Sequence, residues 1–212
     1  VHMSDRLRNL ESFSGIRDYP LPEGFVGQLR PYQKAGYNWL RFLNEFHLGG
    51  CLADDMGLGK TFQALAFLAW IKELMDNGVI DKRPILIVAP VGLLKNWEAE
   101  HDMHLASPGL GDVVRVYGDH LKFIKSGSHR SGNAGLDTTQ LGNADWVLAN
   151  YEAISDYQLS FGAIKFTCVV FDEAQKIKTP SARMTHAAKG LNTEFVLAMT
   201  GTPVENRLAD LW

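Results

Sequence analysis

Cys51-Leu52-Ala53-Asp54-Asp55-Met56-Gly57-Leu58-Gly59-Lys60-Thr61 decides the fold of this chain. Cys51 to Ala53 are small and apolar and read as the end of a buried strand. A turn carrying two glycines follows, then Lys60-Thr61, then a helical run from Phe62 to about Met75. Strand, glycine turn, Lys-Thr and helix in that order build a cradle for a nucleoside triphosphate. Gly57 and Gly59 let backbone amides approach phosphate oxygens with no Cβ in the way. The helix N-terminus adds its partial positive charge at the same point. On this reading the stretch from Asp55 through Met56, Gly57, Leu58 and Gly59 wraps the phosphates. Lys60 reaches the β- and γ-phosphates, and the Thr61 hydroxyl ligates Mg2+. One residue departs from the common pattern: its first glycine would fall at position 54, where this chain has Asp54. Glycine-rich strand-to-helix turns also occur in proteins that bind no phosphate, so a second signal is needed.

Cys168-Val169-Val170-Phe171 supplies it, an apolar run rich in β-branched residues that ends in Asp172-Glu173-Ala174-Gln175. Paired acids at the C-terminal end of a buried strand are where a phosphate-loop enzyme holds its metal and its attacking water. Asp172 is the candidate Mg2+ holder and Glu173 the group that polarises water. An Asp-Glu pair after a strand is by itself most often a solvated loop. Here it follows a glycine-Lys-Thr turn in the order a nucleotide-hydrolysing fold requires.

With 212 residues the chain has room for one large domain or two small ones. Its apolar content, 46% with 11 Phe and 5 Trp, suffices for a core and excludes wholesale disorder. A net charge of −3 argues against a broad nucleic-acid-binding face but permits a narrow basic groove. The two cysteines, Cys51 and Cys168, fall in predicted core strands. They read as small buried hydrophobes rather than a disulfide or metal pair, which points to a reducing, intracellular location. The most apolar helix, Ala64 to Ile71, is much shorter than a membrane span. Val1-His2-Met3 resembles an expression remnant.

Residues 1–28 read as that remnant followed by an extended lead-in. From Leu29 onward Tyr32, Gly36, Tyr37, Leu40 and Leu43 recur at helical steps, with Pro31 early, where a helix tolerates it. The helix behind the phosphate loop is apolar nearly all round and is expected at the centre of the fold. Pro84 to Pro90 encloses an unbroken apolar run, as in a strand covered on both faces. Further strands are expected at Val113–Tyr117, Trp146–Ala149, Cys168–Phe171 and Phe195–Met199, with a helix from about Leu93 to His101. Gly127 to Gly142 reads as a surface loop. Strands alternating with helices predict an α/β fold, a mostly parallel central sheet with helices on both faces.

With these residues placed, the chain from Leu29 to Trp212 resembles the first RecA-like lobe of a Swi/Snf-family ATPase of helicase superfamily two. Leu52 to Thr61 is similar to that family's phosphate loop, which also carries Asp in place of the first glycine. Leu29-Arg30-Pro31-Tyr32-Gln33 resembles its adenine-recognition segment, which implies that Gln33 reads the base edge. Ile87 to Pro90 with Leu94-Lys95-Asn96-Trp97 resembles a motif on the DNA-tracking side, and Leu148 to Glu152 another, with Asn150 where Thr is commoner. Leu197 to Asn206 resembles the segment that couples hydrolysis to nucleic acid through Thr200, Gly201 and Thr202. Many relatives have His at the position of Gln175. An amide still donates and accepts hydrogen bonds but carries no charge at any pH.

The resemblance implies ATP and Mg2+ as ligands, double-stranded DNA as partner, and a second RecA-like lobe in cis that brings arginine fingers. Such fingers are worth ~10³–10⁵ in rate in phosphate-loop enzymes. The reading is therefore of one half of a motor, inactive and monomeric alone, at the nucleoid of a bacterium or in a eukaryotic nucleus. Three functions remain open: a double-stranded-DNA translocase that remodels protein–DNA complexes, a strand-separating helicase or restriction-type motor, and a nucleotide-gated binding module. Backbone contacts are expected from Lys95, Asn96, Asn150 and Tyr151, past the C-terminal ends of parallel strands. Lys176 and Lys178 are further cations that a groove could use. Trp97 and Trp146 are expected in the core.

Overall fold

The computed structural model describes residues 15–55, 57–126, 135–177 and 183–201. Met56, Lys178, Thr202 and the rest of the segment to Trp212 lie outside the described residues, as do residues 127–134, the first half of the expected 127–142 loop. In chain order the elements are α1 (Pro31–Glu45), β1 (Gly50–Leu52), α2 (Lys60–Asp76), β2 (Ile85–Val88), α3 (Val91–His104) and β3 (Val113–Val116). A 3-10 turn leads to the short pair β4 (Lys125–Ser126) and β5 (Gly135–Leu136), then α4 (Thr138–Asn143) and β6 (Trp146–Ala149). The chain continues through α5 (Tyr151–Asp156), α6 (Gln158–Gly162), β7 (Lys165–Asp172), α7 (Arg183–Lys189) and β8 (Asn192–Met199).

Six strands form one sheet in the order β1-β8-β7-β2-β6-β3, and every pairing in it is parallel. This is the expected α/β architecture. Parallel strands need helical crossovers, which cover both faces at the centre of the sheet, while β8 leaves Asn192, Glu194 and Val196 exposed on one face. β2 and β6 are buried at every residue. Ile85, Ile87, Trp146, Leu148, Cys168, Val170 and Leu197 face a core shared with α1, α2 and α3. Leu86, Val88, Val147, Ala149, Val169 and Phe171 face the layer built by α4 to α7. Every residue of α2 from Gln63 to Ile71 is buried, as its all-round apolarity predicts. Among the described residues no helix is long and apolar enough to cross a membrane.

Two expectations need correction. Cys51 is exposed, because β1 is a three-residue edge strand whose alternation turns Gly50 and Leu52 inward. Cys168 is fully buried, as expected. Residues 135–143 are not a loop: Asp137 caps α4 by accepting from the amides of Thr139 and Gln140, while Leu136 and Leu141 enter the core. The lead-in packs against the fold: Tyr19 and Phe25 are buried and Phe25 bridges to Leu105. Asp18 accepts from Lys34 and Asn38, the Pro20 carbonyl accepts from the Tyr37 hydroxyl at 2.8 Å, and the Arg41 guanidinium lies over the Tyr19 and Trp70 rings. These contacts fasten residues 18–20 along α1.

Candidate nucleotide site

Because the sheet is parallel, the segments leaving β1, β2, β6, β7 and β8 all emerge at one edge. Leu52 and Asp172 both stand opposite Met199 in the strand register. The Thr200 amide continues the ladder by donating to the Leu52 carbonyl at 3.0 Å. The glycine turn, the acid pair and the Thr200 segment are thus held side by side by backbone bonds.

Gly57 and Gly59 have φ of 81° and 74°, the left-handed region that glycine enters without steric cost. Gly59 is the N-cap of α2. A Cβ there would lie 2.5 Å from Gln33 Nε2, whereas one at Gly57 would meet nothing within 4 Å. Gln33 is buried against this turn. Its Oε1 accepts from the Arg30 amide at 2.9 Å and its Nε2 donates to the Leu58 carbonyl at 3.1 Å. The Tyr32 hydroxyl donates to the same carbonyl at 3.1 Å, a contact the sequence reading missed. Lys60 Nζ donates to the carbonyls of Asp54 and Asp55 at 2.7 and 3.0 Å, acceptors that phosphate oxygens would displace. Asp54, the departure from the common pattern, accepts from Gln63 Nε2 at 3.3 Å. Gln63 is a polar residue 1% exposed in an apolar helix, a signal that it has a partner.

Asp172 is the last residue of β7 and is buried. Its Oδ1 accepts the Glu173 amide at 2.9 Å, and its Oδ2 accepts the Trp97 indole N–H at 3.0 Å. Burial pushes its carboxyl above the ordinary carboxylate range, with the Glu173 charge adding to the rise. The bonds from Trp97 and the Glu173 amide and the positive charge of Lys60 act the other way. Glu173 has φ of 53°, strained for a residue with a Cβ. Gln175 Nε2 donates to Glu173 Oε2, and Gln175 Oε1 accepts from the Thr200 hydroxyl at 2.8 Å. The Gln175 amide therefore bridges Glu173 and Thr200, and Gly201 follows directly.

A hard divalent cation fits this donor set. The Asp172 carboxylate and the Thr61 hydroxyl are oxygen donors, and Mg2+ is typically held by one or two protein oxygens plus substrate phosphates. Among the described residues no cluster of His, Cys, Asp and Glu forms a metal site of its own.

The expected DNA contacts divide. Lys95 and Asn96 are exposed on α3, and Lys176 is exposed. The Asn150 side chain instead caps α5, its Oδ1 accepting from the Ala153 amide at 3.1 Å. Tyr151 is 1% exposed, is stacked on Phe171 and donates its hydroxyl to the Asp172 carbonyl at 2.7 Å. Its side chain supports the acid strand from inside and is withdrawn as a DNA contact. Trp97 and Trp146 are in the core, as expected.

Residues 32–212 match the family model described as the SNF2-related domain. The chain belongs to this family. It is 40% identical over 198 residues to the Zorya protein ZorD of Escherichia coli, covering 87% of this chain and 18% of that protein. It is 36% identical over 208 residues to the helicase SWR1 of Eremothecium gossypii, covering 98% of this chain and 13% of that protein. The SNF2 chain is also similar in structure to the Sulfolobus solfataricus SWI2/SNF2 ATPase core in complex with dsDNA. The TM-score is 0.72 at 33% identity, over 92% of this chain and 36% of that one. It thus spans less than a fifth of the curated relatives named here. Its fold is that of the SNF2 ATPase core, in the N-terminal lobe region.

Proposed function

We propose that this SNF2 domain is the ATP-binding half of a DNA-dependent ATPase, a double-stranded-DNA translocase that remodels protein–DNA complexes. Lys60 and the amides of residues 55–59 hold the triphosphate, and Gln33 reads the adenine edge with the donor and acceptor capacity its bonds to Arg30 and Leu58 leave over. Thr61 and Asp172 hold Mg2+, which when bound neutralises charge developing on the phosphates. Glu173 accepts a proton from the attacking water. The supporting observation is the continuous Glu173–Gln175–Thr200 bridge: a shift of the Thr200 segment as a second lobe closes re-aims the Glu173 carboxylate. Lys95 and Asn96 face the DNA backbone, which carries position and not base identity. The full-length protein is the acting unit, its second lobe supplying the other wall of the site.

Titration calorimetry of Mg·ADP against this chain and its Lys60→Ala variant tests the cradle, with binding expected only where Lys60 is present. In the full-length protein Glu173→Gln is expected to bind ATP and fail to hydrolyse it, because the cradle stays intact while the water loses its base. Equal nucleotide binding by the Lys60→Ala chain overturns the assignment. Turnover by Glu173→Gln replaces the base.

A further inference from the structure

Two buried tryptophans in this domain satisfy their indole N–H in different ways. Trp146 Nε1 donates to the Gly111 carbonyl at 3.1 Å, a neutral backbone acceptor of the kind a core indole ordinarily finds. Trp97, 1% exposed, instead donates to a carboxylate oxygen of Asp172, 75 residues away. With the other oxygen bound to the Glu173 amide, the orientation of the Asp172 carboxylate is fixed from two sides: its own turn and α3. Each oxygen keeps a second lone pair, so both bonds are compatible with a cation or its waters.

α3 is also the element that presents Lys95 and Asn96 to solvent, two and one positions before Trp97. An exposed cation, an exposed amide and a buried donor to the metal-site acid thus stand on a single helical turn. The helix starts directly after β2, so it has no long tether that would let it move independently of the sheet edge.

We infer that Trp97 is a positioning residue: its indole N–H links the DNA-facing helix α3 to the carboxylate that holds Mg2+, so that DNA and Mg·nucleotide each raise the other's affinity. The inference rests on the proposed function, in which Asp172 holds the metal and α3 faces DNA. A hydrogen bond to a charged group contributes about 1.5–3 kcal/mol, and every 1.4 kcal/mol is about tenfold in affinity. Coupling of binding between two sites is reciprocal, so it is measurable from either ligand.

The test uses the full-length protein with Trp97→Phe, which keeps an aromatic ring and removes the donor. A second version carries benzothienylalanine at position 97, the indole shape with sulfur in place of N–H, and serves if the phenylalanine variant does not fold. Binding of a fluorescent ADP is measured against Mg2+ concentration, with and without duplex DNA, and duplex affinity with and without Mg·ADP. Removing the donor is expected to raise the Mg2+ concentration for half-maximal nucleotide binding about tenfold. It should also bring the DNA–nucleotide coupling factor close to one. Nucleotide affinity in EDTA is the reference, because the bond acts only through the metal-holding acid. An unchanged Mg2+ midpoint together with an unchanged coupling factor overturns the inference. Lys60→Ala and Lys95→Ala run alongside: if Lys60→Ala binds nucleotide normally, or Lys95→Ala binds duplex normally, it is the underlying functional reading that fails. If both are impaired while the position-97 proteins behave as wild type, only the role of Trp97 falls.

Discussion

Gly57→Ala and Gly59→Ala form a matched pair that isolates the pressure of Gln33 on the phosphate loop. Both residues have positive φ, at 81° and 74°, and an alanine there costs about 1–2 kcal/mol against the left-handed region. Alanine also restricts the unfolded chain, which returns about 0.4–1 kcal/mol. Gly57→Ala is therefore expected to lose about 0.5–1 kcal/mol, since a Cβ there meets nothing within 4 Å. At Gly59 the Cβ would stand 2.5 Å from Gln33 Nε2, so the amide must swing away and give up its bond to the Leu58 carbonyl. That adds about 1 kcal/mol, for a total near 2 kcal/mol by the same reckoning. In a domain of this size each kcal/mol lowers Tm by about 2–4 °C. Scanning calorimetry should show a loss of about 4–8 °C for Gly59→Ala and about 1–4 °C for Gly57→Ala, by that scale. A Gln33→Ala background should bring the two losses together. Equal losses in the wild-type background would refute the packing of Gln33 against Gly59.

Tyr151→Phe removes a buried hydrogen bond to the Asp172 carbonyl and should cost about 1 kcal/mol, read by urea denaturation; an unchanged midpoint would mean that the bond adds nothing. Burial, with the bond to Glu98, pushes the Tyr117 phenol up to about 12, above its ordinary value of 10.0. The folded state therefore holds this proton more tightly, and the stability it contributes is complete below pH 10 and lost as pH rises toward 12. Tyr117→Phe should flatten the stability profile across that window, measured by chemical denaturation at stepped alkaline pH. Lys95→Ala in the full-length protein should weaken duplex binding equally for different sequences. It should also flatten the salt dependence by about one unit of slope; an unchanged slope removes Lys95 from the DNA track.

What the sequence disclosed was what is written along one strand or one helix. Trp146–Ala149 falls on β6 residue for residue, and Pro84–Pro90 encloses β2, because an unbroken apolar run reports cover on both faces. The positive φ of the two loop glycines suits the residue type the turn carries. What stayed hidden depends on which element lies across from which. Cys51 was read as interior because its neighbours are apolar; only the strand order shows β1 at the sheet edge. Tyr151 followed a strand in a motif associated with DNA, and its burial beneath Asp172 is set by α5 folding back onto the sheet. The partnership of Trp97 with Asp172 spans 75 residues, and no local periodicity encodes it. Buried polar residues were the available clue: Gln63 and the indole N–H each had to find an acceptor.

The fastening of residues 18–20 along α1 has a mechanical consequence. Tension applied to the chain upstream of Asp18 would be carried first by Lys34 and Asn38, then by the Tyr37 hydroxyl and the Arg41 guanidinium on Pro20. All four residues belong to the helix whose first turn carries Tyr32 and Gln33, and those two grip the Leu58 carbonyl at the crest of the phosphate loop. A load path therefore runs from the lead-in to the nucleotide loop with one rigid helix as its lever and no flexible joint between.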